Sequence, residues 1–200
     1  MLFYFSLIWN YRMERKLVSV KVGVNLDIGQ EYLKCAISNF KATQNQGERV
    51  LSQLTYEQIM WSLHEETNSI AIIIKHLHGN MRSRWTEFLI SDGEKTDRNR
   101  DGEFEGGYNS KQEALAAWQE GWEYVFEALD NVTPEQILQK VYIRGEEHTV
   151  MQAIERQISH YALHIGQIIY IGKMLKENDW ECLSIPRGQS TRYLEKKRST

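Results

Sequence analysis

The chain is poor in cysteine and proline and carries little excess charge of either sign. Each shortage excludes something. Cys35 and Cys182 are the two cysteines in 200 residues, too few and too far apart for a disulfide framework or a cysteine-based zinc site. A reduced, cytoplasmic compartment is the expected location. Pro134 and Pro186 are the only prolines, so long stretches are free to be helical. A formal net charge of −3 gives no broad basic field and argues against nucleic acid as the main partner. The apolar run at residues 1–9, MLFYFSLIW, falls far short of the ~20 residues of a membrane span.

That run is not a secretory signal pattern either. A signal places basic residues before its apolar stretch, whereas Arg12, Arg15 and Lys16 follow it here. Residues 1–24 read as a poorly specified extension from an early start codon, with Met13 as a later start. The alternative is a short interfacial anchor.

What the sequence does have is typical of one globular domain. Its hydrophobic fraction is 42% and its charged fraction 26%, enough to bury a sizeable core. Apolar spacing predicts four long helices: over about 27–54, over about 68–90, from the Ser110–Glu113 capping box through Leu129, and over about 149–176. Two short helices are expected after Thr55 and Thr133, where T-x-x-Q forms a capping box with Gln58 and Gln136. Residues 91–109 hold four glycines and read as a long loop. Residues 141–150, with Arg144-Gly145 near the middle, suit a small hairpin. Thr55-Tyr-Glu-Gln-Ile and Thr133-Pro-Glu-Gln-Ile each follow one long helix and precede another. This weak internal echo fits an all-α four-helix bundle with two longer connections, spanning 25–190 and leaving 191–200 as a polar tail.

The chemistry concentrates in histidines. His160 and His164 lie four residues apart, so both rings leave one face of the last long helix one turn apart. That spacing lets two imidazoles bind one divalent ion. Tyr161 stands where a zinc protease of the H-E-x-x-H type carries its glutamate, which excludes that reading. A third ligand must come from another helix, and Lys75-His-Leu-His-Gly-Asn80 offers His76 and His78. These point to opposite sides of Leu77. A projection of the apolar stripe leans towards His78.

His160-x-x-x-His164 followed by Gly166-Gln167-Ile168 resembles the signature of the DinB/YfiT-like superfamily. The stretches His76-Leu-His-Gly-Asn80-Met-Arg-Ser-Arg-Trp85, Asp92-Gly-Glu-Lys95, Arg98-Asn-Arg-Asp-Gly-Glu-Phe104 and Leu183-Ser-Ile-Pro-Arg-Gly-Gln-Ser190 resemble a Bacillus-type branch of it. The resemblance covers about 25–190. It implies a four-helix bundle and a divalent metal held by His76, His160 and His164. A homodimer is also expected, with a purely structural dimer whose histidines bind no metal as an alternative. Nickel and zinc are the first expectations for the metal, and iron and manganese also accept imidazole.

Three imidazoles leave coordination positions open, as catalytic sites do. Relatives in the superfamily include bacillithiol and mycothiol transferases and metal-dependent hydrolases. The resemblance therefore implies transfer of a low-molecular-weight thiol to an electrophile, with a hydrolase as the alternative. A non-catalytic metal- or ligand-binding stress protein is a further reading. Arg98 and Arg100 in the long loop, Arg187 in the tail segment and Asn80 one turn beyond His76 are the expected substrate contacts, since arginine forks suit carboxylates. The alternative for that loop is a solvated set of paired charges.

Overall fold

A computed structural model describes residues 28–199. The readings of residues 1–24 as an extension and of Met13 as a start lie outside the described residues. The described chain is helical apart from one hairpin and its connections. Its elements are α1 (Ile28–Leu51), α2 (Tyr56–Met60), α3 (Ile70–Trp85), α4 (Lys111–Asp130), β1 (Lys140–Ile143), β2 (Glu146–Thr149), α5 (Val150–Lys176) and α6 (Ser190–Arg198). Short 3-10 turns occupy Asp101–Phe104, Pro134–Leu138 and Glu177–Asp179. Among the described residues, no helix is long and apolar enough to cross a membrane.

The helix starts follow their capping residues. Thr55 and Thr149 form complete capping boxes with Gln58 and Gln152. Ser69 and Ser110 accept from the N–H of Ile72 and Glu113, satisfying donors that a helix N-terminus leaves free. The short segment after Thr133 is a 3-10 turn rather than an α-helix, with Gln136 accepting from the Thr133 N–H at 2.9 Å. The two echoing segments still play matching parts, each burying its isoleucine, Ile59 or Ile137. Residues 191–200, expected as a polar tail, are largely the exposed helix α6.

The four long helices form two parallel pairs. Tyr32 near the start of α1 donates to the Met151 carbonyl at the start of α5, and Val50 near its end meets Gly172 near the end of α5. Likewise Ala71 of α3 lies by Gly107, just before α4, while Met81 and His78 meet Gly121 in its middle. The connection 86–110 therefore returns along the bundle before α4 begins. An aromatic group closes the centre, with Phe40 against Trp85, Trp122 and Tyr161 at centroid distances of 5.6, 6.3 and 5.8 Å.

The expected helix over 68–90 stops five residues early. Glu87 adopts a positive φ of 51°, and the Ile90 and Ser91 N–H groups fold back onto its carbonyl. Phe88 keeps its place against Trp85 at 4.9 Å without being helical. Apolar periodicity continues past the end of the helix because the turn still feeds the core.

Candidate metal centre

α3 and α5 face each other across the middle of the bundle, and His76 meets His160 and His164 there. The His160 Nε2 lies 3.2 Å from the His76 Nε2 and 3.1 Å from the His164 Nε2. The Nδ1 atoms of two rings are committed elsewhere. His76 Nδ1 donates to Glu103 Oε2 at 2.9 Å, and His164 Nδ1 donates to Gln167 Oε1 at 2.9 Å. With the ring protons on Nδ1, the Nε2 lone pairs of these two rings point inward.

Lone pairs converging at hydrogen-bond distance repel unless a proton or a cation lies between them. Ligands held ~2.0–2.1 Å from one metal at near-tetrahedral angles stand roughly 3.3–3.4 Å apart, close to what is found. The three residues could therefore hold one metal ion. Burial, followed by the neighbouring His164, His76, Arg84 and Arg98, pushes the His160 imidazole down to about 3, and burial lowers His164 as well. Both are neutral at ordinary pH, the state in which imidazole ligates. Among the described residues, no further His, Cys, Asp or Glu joins the group. The Phe104 ring, 45% exposed, stacks on His76 at 4.9 Å and forms one wall.

Glu103 is held from both sides. Arg98 Nε and Nη2 donate to its Oε1 and Oε2 at 2.7 and 2.9 Å, opposite the His76 bond. Burial alone would raise the Glu103 carboxyl, but the bonds from His76 and Arg98 and the Arg98 charge outweigh it and hold it low. Arg98 also reaches Glu94, which accepts from Arg84 and from Arg144 of the hairpin turn at 2.9 Å each. The carboxylate of Asp92 caps that turn by accepting from the N–H groups of Arg144 and Gly145.

The remaining expected residues fall in different places. His78 turns away and meets Glu120 at 3.1 Å, so the helix projection pointed to the wrong side. Asn80 is buried, and its Oδ1 accepts from the Tyr161 hydroxyl at 3.1 Å. Arg98 is committed to Glu103 and Glu94. Arg100 is half-exposed and approaches Glu94 at 4.0 Å. Arg187 lies in the exposed turn before α6.

A cleft of about 570 Å³ lies between α3 and the loop, lined by Lys75, Gly79, Arg82, Lys95, Arg98 and Glu103 among others. Arg100, Arg187 and the three clustered histidines do not line it. Sequence reasoning missed Glu103 as the partner of His76 and Phe104 as its stacking neighbour. Gly79 was the available signal, because Glu103 occupies the space that a side chain there would need.

A family model matches residues 27–189 of this chain, the model described as Protein of unknown function (DUF1572). The chain belongs to that family. The match ends on the segment before α6, so all four long helices and the loop carrying Glu103 lie within the DUF1572 region. No curated protein and no solved structure matches the chain.

Proposed function

We propose that this DUF1572 member is a DinB-like metal-dependent enzyme that transfers a low-molecular-weight thiol of the bacillithiol type to an electrophile. The observation that carries the reading is the convergence of three imidazole Nε2 atoms, two with their Nδ1 protons tied down, with no further His, Cys, Asp or Glu in the group among the described residues. A nickel or zinc ion bound there would supply a Lewis acid that favours a thiolate or hydroxide at neutral pH.

The chain's own residues favour a thiol over water as the nucleophile. Glu103, the carboxylate bonded to the cluster, already accepts from His76 and Arg98 on its two oxygens and is not a free base. A hydrolase of the zincin kind relies on a free carboxylate base beside its metal. A thiol ionises more easily than water and depends less on such a base. Phe104 offers an apolar wall to an electrophile. The cations of the adjoining cleft suit a carboxylate-bearing thiol.

The test is elemental analysis of untagged protein beside three variants, followed by thiol-conjugation assays on the loaded enzyme. About one ion per chain is expected, lost in His76→Ala and His160→Ala and kept in His78→Ala. A wild type that takes up no nickel or zinc defeats the enzyme reading. Metal binding with ester or amide cleavage and no thiol transfer would replace the transferase with a hydrolase.

A further inference from the structure

Arg98 does more at this site than its place in a charged loop suggests. Its side chain is 3% exposed, and its guanidinium is spread over Glu103 and Glu94. A buried ion pair is a poor stabilising device, because apolar residues of similar volume often serve as well or better. The fork does have a geometric use. Glu103 Oε2 receives both Arg98 Nη2 and His76 Nδ1, at 2.9 Å each, so the arginine fixes the oxygen that orients the imidazole.

We propose that Arg98 is a positioning residue for the three-histidine centre, locking the Glu103 carboxylate so that it holds the His76 Nδ1 proton and turns Nε2 inward. This inference rests on the reading of the three histidines as a metal centre. Without the fork, Glu103 would be a buried carboxylate with one donor, free to rotate away from His76. His76 would then exchange tautomers, and a proton on Nε2 blocks ligation. Glu94 keeps the guanidinium in place, and Arg84 and Arg144 in turn hold Glu94. The anchor thus reaches from the ligand to the hairpin turn. Lysine could supply the charge but not the paired donors.

The experiment measures zinc affinity by competition with a chromophoric chelator for wild type, Arg98→Gln, Arg98→Lys, Glu103→Gln and the double variant Arg98→Gln/Glu103→Gln. Circular dichroism checks each fold. Arg98→Gln is expected to bind zinc about 10–100-fold more weakly, with Arg98→Lys between it and wild type. In the Glu103→Gln background, Arg98→Gln should add little further loss, because its effect runs through that carboxylate. A purely structural arginine would lower the melting temperature and leave the chelator competition unchanged.

Unchanged zinc affinity in Arg98→Gln and Arg98→Lys overturns the proposal. So does an equal further loss in the Glu103→Gln background. If Arg98→Gln does not fold, Arg98→Lys decides alone, weaker zinc binding supporting the role and wild-type affinity ending it. A wild type without zinc binding defeats the metal centre itself, a result distinct from a wild type that binds zinc indifferently to Arg98.

Discussion

Tyr161 sits one position after His160 and faces the other way, into the aromatic centre. Its hydroxyl accepts from Trp85 Nε1 at 2.8 Å and donates to Asn80 Oδ1 at 3.1 Å, so one oxygen satisfies two buried groups. Tyr161→Phe removes the oxygen and leaves both without a partner. A loss of about 1–3 kcal/mol is expected, read as a fall in melting temperature of roughly 2–4 °C per kcal/mol. A variant melting with wild type would mean that the chain of bonds adds nothing to stability.

His160 also gives the metal-free protein a pH dependence of known sign. Its folded value of about 3 lies below the ordinary 6.5, so between those values the unfolded chain binds a proton that the folded chain refuses. Stability is therefore complete above about pH 6.5 and declines as pH falls towards 3, and His164 acts in the same direction. Urea titrations of metal-free wild type and His160→Gln at pH 7.5 and 5 should show the larger acid loss in wild type. Equal losses would remove His160 as the source.

At the scale of elements, glycines separate close contact from open surface. Gly47 of α1 lies against the Trp118 ring, in the space a methyl group would take, whereas Gly166 of α5 has nothing near it. Gly47→Ala should cost about 1–3 kcal/mol through overpacking. Gly166→Ala should be neutral or stabilising by up to about 1 kcal/mol, from helix propensity alone. Melting curves of the two variants check the contrast. Equal shifts would place the close approach of α1 and α4 in doubt.

The same scale explains what the sequence could and could not disclose. Helix starts were legible because Thr55, Ser110 and Thr149 cap through local bonds. The His160–His164 pair was legible because one turn of helix sets its spacing. The choice between His76 and His78 was not, since α3 is buried nearly all round. Ile70–Ile74, Leu77, Met81, Ser83, Arg84 and Trp85 are all covered, by α4, α5 and the returning loop together. A helix without a single apolar stripe has no face that a projection can find. Arg98 and Glu103 look like loop charges in sequence, and their burial follows from the path of the chain over α3.

For the whole molecule, an ion that binds the folded chain and not the unfolded one must raise the melting temperature. Adding nickel or zinc to chelator-treated protein should raise it, and His160→Ala should abolish the shift. A shift that survives in His160→Ala would place the ion elsewhere.

The pairing of α1 with α5 and of α3 with α4 also sets an order of events during synthesis. His76 and His160 are 84 residues apart, and at about 5–20 residues per second a ribosome takes roughly 4–17 s to pass from one to the other. Throughout that interval the nascent chain carries α1 without its parallel neighbour and one imidazole without the other two. An ion held by all three imidazoles could therefore be captured only after α5 has been made.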